Sequence, residues 1–130
     1  MQEVYEFLKK VGTYYLATIE DGKPHVRPFG TIDLFDNELT IQTGKIKDVS
    51  KQIHNNPQVE ICAFDGQRWL RIEAKAIEET RIEAQKHMLE AYPSLKNMYK
   101  PNDGNTEIFK LVEAKATFYS FTSEPRSIEW

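Results

Sequence analysis

The sequence predicts a mainly β (α+β) fold: an antiparallel barrel of six or seven strands with helices packed around its outside. Three observations carry that prediction. Short stretches rich in β-branched and aromatic residues recur along the chain: TYYLATIE, ELTIQT, QVEICAF and WLRIEAKAIEE. Turn pairs punctuate them, most clearly Asp21-Gly22 and Asp36-Asn37. Helical spacing is confined to a few short segments, and closing the sheet on itself is the natural way to leave no exposed edge.

Taken in order, Val4, Phe7, Leu8 and Val11 fall at helical intervals, and Gly12 is placed to end that helix. TYYLATIE is the first strand and turns at Asp21-Gly22 into a second beyond Pro24, which carries Arg27. The Asp36-Asn37 turn leads into ELTIQT, with Leu39 and Ile41 on one face and Thr40 and Gln42 on the other. A helix of about two turns is expected from Asp48 toward Asn55, since Pro57 blocks its continuation. QVEICAF is the fourth strand, and WLRIEAKAIEE, beyond the Asp65-Gly66 turn, a long fifth. Thr80 and Glu83 have capping-box spacing and open the main helix, with Ala84, Met88, Leu89 and Tyr92 at helical intervals behind them and Pro93 at its end. A short helical turn covers Leu95–Tyr99, and the polar loop PNDGN follows. EIFKLVEAKATFYSFT reads as one bent strand or two strands joined near Glu113. Without a linker, repeat or low-complexity segment, residues 1–130 form a single domain.

Composition narrows the function classes. The chain has 130 residues, 40% of them hydrophobic and 28% charged, as expected of a globular domain with its own core. A formal net charge of −3 argues against nucleic-acid binding, and no apolar run approaches the roughly 20 residues of a membrane span. MQEVYEFLKKVG lacks the apolar centre of a signal peptide, and the single Cys62 precludes an internal disulfide, so a cytoplasmic location is expected. Within VEICAF, Cys62 is predicted to be a buried structural thiol. His25, His54 and His87 show no metal-ligand spacing, so no metal site is predicted. Gly44-Lys45 lacks the rest of a P-loop, and nothing resembles a nucleophile elbow.

The chemistry concentrates between Pro24 and Pro57. Alternation puts Arg27 on the face of His25 and Phe29. Thr43 ends its strand, where a hydroxyl can face a ligand beyond the sheet. Ser50 and Lys51 fall in the first turn of the next helix, where free N–H groups and the dipole favour an anion. A cation there works against the helix itself, so it calls for a reason. Arg27, Thr43, Ser50, Lys51 and the helix N-terminus converging on one dianion suggest a phosphorylated cofactor. The plainer reading makes Asp48 an ordinary N-cap, and Arg27 and Lys51 solvated surface residues.

The ordered set PHVRP, a strand ending in Thr43, VSK and NNPQVEI resembles the FMN-binding split-barrel family of pyridoxamine 5′-phosphate oxidase-like proteins. The resemblance covers most of the chain and is strongest between Pro24 and Phe64. It implies a split β-barrel that binds FMN at the interface of a homodimer. Carried over residue by residue, Arg27 matches the arginine that reaches the FMN phosphate, and Lys51 the phosphate-binding lysine. Val26 and Pro28 flank Arg27 on the strand along the flavin ring. Gln42 and Thr43 match the pair ending the next strand beside the cofactor. Ser50 matches the residue beside the lysine, often arginine in the B6 oxidases. Trp69 aligns with a commonly glutamine position that contacts the flavin, where an indole either packs on the ring or serves as core or dimer interface.

The departures bear on activity. The family's oxidases carry a lysine five residues after the strand arginine, where this chain has Ile32. The substrate-phosphate residues of their helix have no equivalent in RIEAQKHMLEAY, and SEPRSIEW lacks their C-terminal tryptophan–arginine–histidine pattern. The resemblance therefore implies a flavin-dependent oxidoreductase acting on a small planar substrate, with NAD(P)H as a candidate donor, rather than a true pyridoxamine phosphate oxidase. A non-catalytic flavin-binding or sensing module, or a barrel holding haem or another planar ligand, is the alternative. No catalytic acid or base is assigned, and Arg126 and Trp130 are read either as closing over the cofactor or as a frayed tail.

Overall fold

The computed structural model describes all residues, 1–130. Eight strands form one antiparallel sheet: β1 Tyr14–Glu20, β2 Lys23–Phe29, β3 Asp33–Phe35, β4 Glu38–Gly44, β5 Gln58–Phe64, β6 Arg68–Glu79, β7 Thr106–Ser120 and β8 Arg126–Glu129. Three α-helices accompany them, α1 Gln2–Val11, α2 Asp48–Asn55 and α3 Ile82–Ala91, with a 3₁₀ helix over Pro93–Asn97. The hydrogen-bonded path runs β2-β1-β5-β6-β7-β4-β3, with β8 beside the second half of β7. No helix is long and apolar enough to cross a membrane.

Both predicted hairpin turns have the mirror-image geometry that suits twisted strands. Asp21 and Gly22 sit at φ 52° and 75°, Asp36 and Asn37 at 51° and 59°. Gly12 ends α1 at φ 86° and donates its N–H to the Leu8 carbonyl. β7 is one bent strand. At its bend Glu113 takes φ 47°, and Glu113 and Ala114 together oppose the single residue Ala74 of β6, a β-bulge. Ala114 exchanges backbone hydrogen bonds with Trp130, whose indole donates to the Leu111 carbonyl at 3.0 Å.

Inward residues of the strands and of α1 and α2 form one core that includes Leu16, Ile41, Ile61, Leu70, Ile72 and Phe109, all nearly or wholly buried. A smaller cluster of Ala84, Met88 and Ile108 seats α3. Ile32 belongs to the main core at 1% exposure.

Several expectations need correction. The short strands β3 and β8 raise the count to eight, because three- and four-residue strands carry too little pattern to register in sequence. Cys62 is exposed: Ile61 and Ala63 take the inward positions of β5, so alternation turns the thiol outward between Tyr15 and Arg71. The main helix starts at Ile82 with Arg81 at its N-cap, and Thr80 makes no capping bond. The buried Glu79 carboxylate instead accepts from both the Arg81 N–H and its guanidinium. α2 is capped by Lys47, which leaves Asp48 inside the first turn. The tail is not frayed: Arg126 lies in β8 and forks onto Glu3, and Trp130 is tied to Ala114 and Leu111.

Candidate functional site

The end of β2 and the end of β4 lie on either side of a seam, and the loop between them is clamped. Tyr14 is fully buried and donates its hydroxyl to the Thr31 carbonyl at 2.6 Å; that burial holds its pKa well above the ordinary value. The Tyr92 hydroxyl meets both the N–H and the carbonyl of Ile32 at 3.1 Å. Thr31 crosses the seam, its hydroxyl accepting from the Gln42 N–H at 3.0 Å. These bonds fix a cleft of about 220 Å³. β2 supplies Arg27 and Pro28, the loop Thr31, β4 Gln42 and Thr43, and the N-cap of α2 Lys47. Leu95, Met98 and the buried Tyr99 complete it from the 3₁₀ segment and the residues after it.

Arg27 is half-buried and held by its guanidinium. Its guanidinium donates to Thr18 Oγ1 at 2.8 Å, Gln52 Oε1 at 2.7 Å and the Leu16 carbonyl at 3.2 Å. Gln52, itself buried on α2, also accepts from the Thr18 hydroxyl and donates to Glu20 at 3.0 Å. Burial pulls the pKa of Arg27 down from its ordinary value, and the nearby Asp48 carboxylate works the other way. Gln42 is the reverse case. Its side-chain nitrogen and oxygen are both buried, and neither has a hydrogen-bond partner. Buried polar groups left unpaired are uncommon and costly, so this amide points to a ligand with its own donors and acceptors.

Of the residues singled out from sequence, Arg27, Pro28, Gln42 and Thr43 meet in this cleft. Four do not. Val26 faces outward and is 67% exposed, on the opposite side of β2 from Arg27. Trp69 stacks on Tyr119 with ring centroids 5.3 Å apart on the outer face of the sheet. Ser50 and Lys51 line a second, wholly polar hollow on the far side of α2, where the buried Ser50 hydroxyl donates to Glu107. The reason is helical phase. Residues two apart are turned by about 200°, so with Gln52 facing Arg27, Ser50 must face away. Lys47, which sequence reasoning did not single out, lines the cleft from just ahead of the helix, whereas a cation was sought inside it.

The sequence profile of the pyridoxamine 5′-phosphate oxidase family matches residues 1–119. This chain belongs to that family. A NimC/NimA family protein from Clostridium acetobutylicum is 37% identical, with 98% of this chain and 93% of that one covered at a TM-score of 0.93. The General Stress Protein 26 from Bacillus anthracis shares the fold at 20% identity and a TM-score of 0.69, with 97% and 99% covered. So does a haem-binding protein from Mycobacterium smegmatis, at 13% identity and a TM-score of 0.69, with 96% of this chain and 57% of that one covered. Comparison with curated proteins finds no match.

Proposed function

We propose that this member of the pyridoxamine 5′-phosphate oxidase family binds FMN and works as a homodimeric, flavin-dependent oxidoreductase on a small planar substrate in the cytoplasm. The observation that carries the reading is the orphaned amide of Gln42, buried beside Arg27, Thr43 and Lys47. An isoalloxazine edge offers the donors and acceptors that such an amide lacks. Two cations at the cleft suit the phosphate of the same molecule.

In this reading Arg27, presented by Thr18 and Gln52, and Lys47 hold the phosphate, while Gln42 and Thr43 orient the ring. FMN when bound supplies hydride or electron transfer at its N5. No carboxylate or imidazole lines the cleft, so the work of these residues is to bind, orient and exclude water. Buried Ile32, where the oxidases of the family carry lysine, has no polar group to offer a substrate phosphate, which sets this chain apart from pyridoxamine phosphate oxidation. The cleft of about 220 Å³ falls below the usual range of roughly 300–1,000 Å³ for a ligand site. Pro28 lines the cleft and also opposes Tyr15 in the sheet, which links the site to the outer face where a second copy would complete it.

The test is retention of FMN through desalting, read by flavin absorbance. Arg27→Ala combined with Lys47→Ala should weaken FMN binding by about 100-fold, as expected on removing two charge-assisted contacts, while Lys51→Ala leaves it near the parent value. Equal loss in Lys51→Ala would move the phosphate to the far side of α2. A parent protein that never retains FMN would sink the reading and make haem the next ligand to try.

A further inference from the structure

We propose that His54, Glu78 and Glu107 form a binding site for a zinc-type divalent metal ion on the side of α2 turned away from the cleft. The three residues come from three rigid elements, α2, β6 and β7. One ligand atom from each lies within 4.8 Å of the other two. His54 Nε2 stands 2.7 Å from Glu107 Oε2 and 3.7 Å from Glu78 Oε1. Two ligands on one tetrahedral zinc ion are about 3.4 Å apart, given bonds near 2.1 Å, so the observed spacings bracket the required one. Glu107 is 1% exposed and fixed; the side chain of Glu78 is 28% exposed and free to close the remaining gap.

The outer contacts favour a site over a chance cluster. Ser50 holds Glu107 Oε1, which turns Oε2 toward His54. Lys45 lies 3.7 Å from Glu78 Oε2, which leaves Oε1 toward the same ring nitrogen. Glu107 therefore has one oxygen held from behind and the other presented to a common point, the arrangement that orients metal ligands, while the looser Lys45 pair leaves Glu78 free to swing onto it. The hollow in front is lined by seven residues, none hydrophobic, and leaves room for water at an open position. One imidazole and two carboxylates suit zinc and related borderline ions better than magnesium or calcium, which take oxygen ligands. Bound there, the ion would pin α2 to β6 and β7. Because the opposite side of that helix carries Gln52, the partner of Arg27, the pin would also steady the cleft.

The competing arrangement puts a proton where the metal would sit, with a charged His54 bridging both carboxylates. Tag-free protein, stripped with EDTA and dialysed, is titrated with zinc chloride by calorimetry and melted with and without the ion. One zinc per chain should bind and raise the melting temperature, whereas magnesium chloride should do neither. His54→Ala and Glu78→Gln, both at partly exposed positions and checked for folding by circular dichroism, should each weaken zinc at least about tenfold. His25→Ala and His87→Ala should not. The absence of saturable zinc uptake by folded parent protein, or uptake unchanged in both ligand variants, would overturn the proposal in favour of the proton-bridged cluster. FMN retention is read separately, so failure of the flavin reading would not mask either result.

Discussion

At the scale of single residues, Gln42 carries the sharpest trade-off. An unpaired buried polar group costs about 1–3 kcal/mol, and in Gln42 both amide atoms are in that position. Gln42→Met keeps the length of the side chain and removes the orphans. Free of ligand, the variant should therefore melt a few degrees higher, as about 1–2 kcal/mol implies for a domain of this size. The same substitution should weaken FMN retention at least about tenfold, since one or two hydrogen bonds to the ring would be lost. Calorimetric melts of the two ligand-free proteins, with flavin titrations alongside, measure both effects. A variant less stable than the parent, with unchanged FMN binding, would mean that Gln42 is satisfied within the chain. Of the residues nearest this amide, Arg27 and Thr43 were legible from their places on strands, one by its face and the other by its position at a strand end. Gln42 came only from the family resemblance, because alternation puts it on the face opposite Thr43. Ser50 and Lys51 needed the rotational phase of α2 against the barrel, which its short sequence leaves open, so they were credited to a cleft that they do not line. Trp69 depended on which side of a strand pair meets solvent.

At the scale of elements, the long strand β7 works because it bends. Its first half pairs with β4 and β6, its second with β6 and β8, and the change of neighbours falls at the bulge. Glu113 pays there with a left-handed backbone, φ 47°, that costs an L-residue about 1–2 kcal/mol. A β-branched residue tolerates that region worst. Glu113→Val should accordingly lower stability by about 1–2 kcal/mol. Glu113→Gly should stay within about 0.5 kcal/mol of the parent, the relief of strain being offset by backbone entropy in the unfolded chain. The ion pair to Lys75 at 3.1 Å changes little, because Glu113 is 68% exposed. Urea unfolding of the three proteins gives the order directly, and a valine variant as stable as the glycine one would refute the strained bulge. The sequence offered one bent strand or two strands joined near Glu113, because the apolar rhythm of EIFKLVEAKATF breaks there. Long strands, hairpin turns and the limits of α2 were legible for the same reason, local pattern over enough residues. β3 and β8 escaped because three or four residues are too few to show a period of two, although each pairs with its neighbour in sequence. The start of α3 was misplaced because Glu79, from the preceding strand, took the contacts expected of a capping box.

At the scale of the whole molecule, the sheet has two faces with different demands. The inner one is filled by the core. The outer one carries Tyr15, Phe64, Trp69 and Phe121, with Phe64, Trp69 and Tyr119 side by side across β5, β6 and β7. Aromatic residues gathered on an exposed face mark an interaction surface more readily than scattered ones. The second copy proposed above would cover this face and complete the undersized cleft, since Pro28 joins the two regions. The prediction ties assembly to cofactor. Phe64→Glu with Trp69→Glu should convert a sedimenting dimer to single chains, because two buried like charges facing their counterparts cost several kcal/mol. FMN retention should fall in the same variant, although neither residue lines the cleft of its own chain. The core beneath is untouched, so the circular dichroism spectrum should stay that of the parent. If the parent sediments as a monomer, or the variant remains a dimer, the outer face is not the interface. If the variant is monomeric but holds FMN as tightly as before, one chain makes the whole site, and the small cleft must widen around its ligand.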